Sequence, residues 1–128
     1  MSRAQISMAL EEAGYSYVVH GHRILVPSKS NSSIPKGTGI IIEPGNDTSR
    51  IILLTESRVS ESEARRLLEL NMHTTEYFYA MDPEGFMAIV SVEPTFRLLS
   101  PERLRQVIGR LVEAYSRGGM LEDTGNSS

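Results

Sequence analysis

The stretch GIIIEPGNDTSRIILLT, Gly39 to Thr55, decides the fold. Ile40, Ile41 and Ile42 form one β-branched run, and Ile51, Ile52, Leu53 and Leu54 form a second apolar run. Such runs favour extended chain. Pro44-Gly45-Asn46-Asp47 between them is a turn: proline presets one dihedral, and glycine and asparagine tolerate positive φ. Two strands joined by so short a turn pair antiparallel. Neither run alternates apolar with polar residues, as a strand with one wet face would. Ile51 and Leu53 point one way and Ile52 and Leu54 the other, so both faces of this hairpin are apolar.

The pattern continues outward. Upstream, Tyr15 to Pro27 reads as extended chain broken at His20-Gly21-His22, either a short hairpin or one bent strand. Ser28 to Thr38 is a solvated polar loop. Before them, Ile6, Ala9, Leu10 and Ala13 recur at helical spacing, and Gly14 supplies a stop. Downstream, Ser60 and Glu63 form a capping box opening a second helix, with Ala64, Leu67, Leu68 and Asn71 along one stripe and Leu70 beside it. Tyr77 to Met81 and Phe86 to Val92 are two more strands around the turn Asp82-Pro83-Glu84-Gly85. Ser100-Pro101 starts the last helix, with Leu104, Val107, Ile108, Leu111 and Tyr115 as its stripe and Gly118-Gly119 as its end. The prediction is an α+β fold: a mainly antiparallel five-stranded sheet with three helices in the order α-β-β-β-α-β-β-α. Residues 1–117 form the single domain and 118–128 a flexible tail.

Composition narrows the function. The 128 residues are 40% hydrophobic and 23% charged, which suits one packed domain. A net charge of −3 argues against binding nucleic acid or anionic membrane through bulk charge. With no cysteine, disulfides, thiolate catalysis and cysteine-based metal centres are excluded. No apolar run is long enough to span a bilayer, and no secretory h-region opens the chain, so a cytoplasmic protein is expected. Eleven of the thirteen basic residues are arginine, and glutamate outnumbers aspartate thirteen to three. That bias fits a heat-adapted source as well as it fits codon usage.

Few side chains suggest chemistry. His20 and His22 have a spacing that a metal can use, with His73 or a glutamate as a third ligand, but glycine between them suits a turn. The Ser28–Gly37 stretch lacks the Walker pattern. Arg103, Arg105, Arg110 and Arg117 are interrupted by Glu102 and Glu113, as on a solvated helix face. Three Asn-x-Ser/Thr triplets, at Asn31, Asn46 and Asn126, read as turn chemistry. No pairing of residues supports catalysis, and neither a cofactor nor a resident metal is expected.

The physical clue is therefore the sheet. Tyr77, Tyr79 and Met81 oppose Phe78 and Ala80; Met87 and Ile89 oppose Phe86, Ala88, Val90 and Val92. Each large side chain left exposed forfeits roughly 1.5–3 kcal/mol of burial, and several together form a patch that monomers rarely show. Either the helices divide between the two faces and hide everything, or one face takes a partner.

The element order resembles the YbjN-like family, which shares the fold of type III secretion chaperones. The resemblance is carried by Leu10-Glu11-Glu12-Ala13-Gly14-Tyr15 leading into Arg23-Ile24-Leu25-Val26-Pro27, by the Gly39–Thr55 hairpin, and by Ala64-Arg65-Arg66-Leu67-Leu68-Glu69-Leu70-Asn71. Tyr77 to Met81 and Leu98-Leu99-Ser100-Pro101-Glu102-Arg103-Leu104 complete it, and the Ser28–Thr38 loop departs from it. It implies a homodimer that holds an extended segment of a protein client on apolar surface, without chemistry. It places dimerisation on the second helix and the strand after it: Leu67, Leu70, Met72, Tyr77 and Tyr79. Met81 extends this surface, and methionines suit an adaptable one. The alternative is a small regulatory domain binding a small molecule between sheet and helices.

Overall fold

A computed structural model of the chain describes the backbone of residues 2–127 and the side chains of residues 3–117. The elements are α1 (Ser2–Ala13), β1 (Val18–His20), β2 (Arg23–Pro27), β3 (Thr38–Glu43), β4 (Thr48–Arg58), α2 (Glu61–Asn71), β5 (Phe78–Met81), β6 (Phe86–Pro94) and α3 (Pro101–Ser127). Short 3-10 turns occupy Ser28–Ser30 and Thr95–Leu99. Among the described residues the strands form one antiparallel sheet in the order β1-β2-β3-β4-β6-β5.

The sheet thus has six strands where the sequence predicts five. The extra strand comes from His20-Gly21-His22, which turns the chain sharply instead of bending it. His20 pairs with Arg23, leaving Gly21 and His22 as a two-residue loop. Gly21 has φ +65° and His22 is not at positive φ, the sign combination of a type II′ hairpin turn. The Pro44–Asp47 turn between β3 and β4 forms as expected. It needs glycine at its second position, because a Cβ on Gly45 would lie 2.1 Å from the Thr48 carbonyl oxygen.

Helices α1 and α3 pack together on one face of the sheet. Ile6 and Leu10 from α1 meet Leu104, Val107, Ile108 and Leu111 from α3 over Ile24, Ile40, Ile42, Ile51, Leu53 and Ile89. Each of these twelve side chains is at most 1% exposed, and full burial stabilises each by roughly 1.5–3 kcal/mol. Arg105 adds a tie, donating from Nη1 to the Ala13 carbonyl at 3.4 Å. That carbonyl ends α1 and has no partner inside its own helix. Helix α3 continues through Gly118 and Gly119 to Ser127, past the glycine stop that the sequence suggests. The side chains beyond 117, on which the expected separate tail rests, lie outside the described residues.

Helix α2 starts at its capping serine. Ser60 Oγ accepts from the Glu63 amide at 3.3 Å and donates to Glu63 Oε1 at 2.7 Å. The helix ends against β5, the outermost strand on its side. Asn71, placed by sequence on the apolar stripe, grips the backbone of that strand. Its Oδ1 accepts from the Tyr79 amide at 2.6 Å, and its Nδ2 donates to the Tyr79 carbonyl at 2.9 Å. One side-chain amide thus satisfies two edge groups that would otherwise invite another strand. Asn71→Ala is expected to cost about 1–2 kcal/mol, since both Tyr79 backbone groups lose their partner. Urea denaturation measures the loss, and hydrogen exchange should speed up at the Tyr79 amide.

Candidate protein-binding surface

Among the described residues no helix packs on the face opposite α1 and α3. Strand register shows what it displays. Val18 pairs with Leu25, Leu25 with Ile41, Ile41 with Ile52, Ile52 with Val90, and Val90 with Phe78. Six apolar side chains therefore stand in one row across all six strands. None of them belongs to the core cluster or packs against it. Val18 and Phe78, at the two ends, are 56% and 43% exposed. Leu25, Ile41 and Ile52 stay half-buried, and Val90 is buried at 7% exposure. Leu54 and Ala88 form a second, shorter row. Beside it Gly39 leaves a dip of about 290 Å³ bordered by Ile41, Leu54 and Glu56.

Charge borders this face. Glu43, mostly buried, is held by two half-exposed guanidiniums: Arg23 Nε at 3.0 Å and Arg50 Nη2 at 2.5 Å. On the other border the Arg58 guanidinium lies 5.1 Å from the centre of the Phe86 ring.

A second apolar surface lies at the β5 edge. Leu68 on α2 and Met72 just past its end are 65% and 84% exposed, and Met81 on β5 is 54% exposed. Of the residues expected here, Met72 and Met81 are on the surface, while Leu67, Leu70 and Tyr77 are half-buried against the core. Tyr79 is a core residue, so it contributes no surface. Its hydroxyl donates to the Ala114 carbonyl at 3.3 Å, its ring meets Tyr77 edge-on at 5.9 Å, and burial pushes its phenol pKa up. Parity explains the difference: Tyr79 pairs with Ile89 on the helix-covered face, and Phe78 pairs with Val90 on the open one. Leu68 and Phe78 are therefore the exposed residues that the sequence reading passed over. The signal was the period of two along β5, which separates the residues into two sets without saying which set is covered.

The other candidates resolve into structure. The α3 arginines have partners within the chain: Arg103 with Glu93, Arg105 with Ala13, Arg110 with Glu76 at 3.0 Å and Arg117 with Glu113 at 3.7 Å. His20 closes the hairpin and His22 lies in its two-residue loop, and among the described residues no group of three His, Asp or Glu side chains is placed to hold a metal ion. Asn31 is buried and locks its loop, accepting from the Ser16 amide at 2.8 Å and donating to Ser16 and Pro27 carbonyls. The cleft between α2 and β5 holds about 100 Å³ and is lined by Val59, Leu67, Tyr79 and Met81 among others. Pockets for small ligands run to roughly 300–1,000 Å³ with convergent polar groups. Among the described residues no helix is long and apolar enough to cross a membrane.

No family model matches the chain, and no curated protein matches it. Solved structures do. The Yersinia pestis type III secretion chaperone SycH, in complex with a stable fragment of YscM2, superposes with a TM-score of 0.65 at 15% identity, covering 89% of this chain and 96% of the other. A chain of the heterodimeric ExoU–SpcU complex from the type III secretion system of Pseudomonas aeruginosa gives 0.51 at 16% identity, covering 91% and 93%. YbjN of E. coli, a candidate transcription regulator, gives 0.52 at 14% identity, covering 88% and 89%. At such identities the likeness is one of fold, and the fold is the one expected: YbjN-like and type III secretion chaperone-like.

Proposed function

We propose that this chain is a non-enzymatic module that binds another polypeptide in the manner of a small chaperone or adaptor, and that it works in the cytoplasm as a homodimer. The observation that carries the reading is the row Val18–Leu25–Ile41–Ile52–Val90–Phe78, which the chain's own helices leave uncovered. A row of large apolar side chains on an open sheet face is surface for a partner. Two of the similar structures are complexes: SycH with a fragment of YscM2, and ExoU with SpcU. Their likeness supports a protein client here. For the dimer we propose the α2–β5 edge, with Leu68, Met72 and Met81 at its centre and Leu67, Leu70 and Tyr77 behind them. That division leaves the open sheet face for the client.

Light scattering at micromolar concentration tests the reading. The wild-type chain is expected at twice its 14.2 kDa mass. Leu68→Glu with Met72→Glu is expected at the monomer mass with unchanged circular dichroism, because both side chains are exposed and their loss leaves the core intact. Both proteins should still bind an apolar dye through the sheet face. A wild-type monomer that binds no dye would overturn the proposal.

A further inference from the structure

Every residue from Glu56 to Phe78 is partly or fully exposed, while Thr55 before them and Tyr79 after them are buried. Helix α2 is the middle of this segment and gives no fully sheltered side chain to the core. It rests chiefly on β5, with Leu67 and Leu70 half-buried. Between helix and strand the cleft of about 100 Å³, lined by Val59, Ala64, Leu67, Leu68, Tyr79 and Met81 among others, is left unfilled. Close-packed interiors hold few gaps of that kind, so α2 is docked with less contact than α1 or α3. Its 11 residues are also too few to stay helical in water without packing. Leaving β5 and unwinding are therefore one event.

The segment is pinned at both ends. At its start the Val59 amide donates to the Gly85 carbonyl at 3.0 Å. Toward its end the Glu76 carbonyl accepts from Ser91 Oγ at 3.1 Å, and the Glu76 carboxylate meets Arg110 Nε at 3.0 Å. Between these pins Asn71 fastens α2 to β5. Its side-chain amide takes the Tyr79 amide and carbonyl, as the peptide group of a neighbouring strand would. Those two groups face away from β6, so the amides of Phe78 and Ala80 on either side face toward it. Protection of the Tyr79 amide therefore depends on α2, and protection of its two neighbours on the sheet.

We propose that α2 is a hinged cover latched by Asn71: it lifts and unwinds as one unit between the pins at Val59 and Glu76 while the six-stranded sheet stays folded, and lifting opens the β5 edge at Tyr79. The latch is an autoinhibitory contact, because the Asn71 side chain satisfies the backbone groups that an added strand would need. Segments with little buried apolar surface open at free energies well below that of global unfolding.

Amide hydrogen exchange of the full-length chain, resolved to single amides by mass spectrometry with electron-transfer fragmentation, tests this. It is read at a dilution where sedimentation gives the single-chain mass of 14.2 kDa, so the outcome stands apart from the question of a dimer. Relative to their intrinsic rates, the amides of Arg65 to Leu70 are expected to exchange about a hundredfold faster than those of Leu53 and Ile89, and with a weaker dependence on urea. The Tyr79 amide should match α2 and differ from Phe78 and Ala80. Ile51→Val trims a core that the open and closed forms share, so it should speed Ile89 about fivefold and leave α2 unchanged. Asn71→Ala removes the latch and should speed the α2 amides about tenfold. The cover is refuted by α2 amides that exchange at the rate of Leu53 or that quicken with Ile89 in Ile51→Val. The latch is refuted by α2 amides that do not respond to Asn71→Ala, or by a Tyr79 amide that follows Phe78 and Ala80.

Discussion

Leu53→Ala is expected to lower the unfolding free energy by about 3 kcal/mol, while Ile52→Thr, one residue away on β4, is expected to lower it by less than about 1 kcal/mol. Leu53 is fully buried between β3 and β6 under α3. Truncating it removes burial and leaves a cavity that close-packed neighbours fill only in part. Ile52 points the opposite way, into the half-exposed row that no helix covers. Threonine keeps the β-branched shape that suits a strand and gives up only partial burial. The functional effects should reverse. Ile52→Thr is expected to lose most apolar-dye and partner binding, and Leu53→Ala to keep both under conditions where it stays folded. Urea denaturation and dye titration of the two variants check this together. Equal stability losses would mean that the outer face is covered after all.

The second large effect concerns Arg103 and Glu93. Glu93, near the end of β6, is 5% exposed, and Arg103 in the first turn of α3 donates to it from Nη2. This pair joins the start of the last helix to the sheet. Arg103→Met is expected to cost about 3–5 kcal/mol, because it leaves a buried carboxylate without its counter-charge. Adding Glu93→Gln should recover much of the loss, since the charge that has to be neutralised is then gone. By contrast, Arg110→Ala should cost under about 1 kcal/mol, because its partner Glu76 is 59% exposed and solvent screens the pair. A denaturant-based cycle over the single and double variants at residues 93 and 103 measures the coupling. A coupling near zero would show that the contact contributes nothing to holding α3 in place.

Much of the architecture was legible because it depends on neighbours in the chain. The Gly39–Thr55 hairpin, the Ser60 cap and the stripe of the last helix follow from turn chemistry and periodicity, and each is present. The strand count was missed by one at a place where two local solutions compete: His20-Gly21-His22 suits a bend and a two-residue turn alike. The candidate surface was harder to read. Met72 and Met81 are exposed and Tyr79 is buried, a difference that depends on which face the helices cover, and Asn71 has a task at a sheet edge that no local pattern announces.

By itself the sequence determined that the class is α+β, that the strands pair antiparallel, and that the sheet carries apolar side chains on both faces. These are matters of spacing and of dihedrals set within a few residues. Only the tertiary structure decided that α1 and α3 settle on the same face and leave Leu25, Ile41 and Ile52 to the other. That choice depends on contacts between helices about ninety residues apart, such as Arg105 with Ala13, and on loop paths that alternation along a strand cannot encode. Alternation divides the side chains into two sets, and the docking of distant helices selects the set that is sheltered from water.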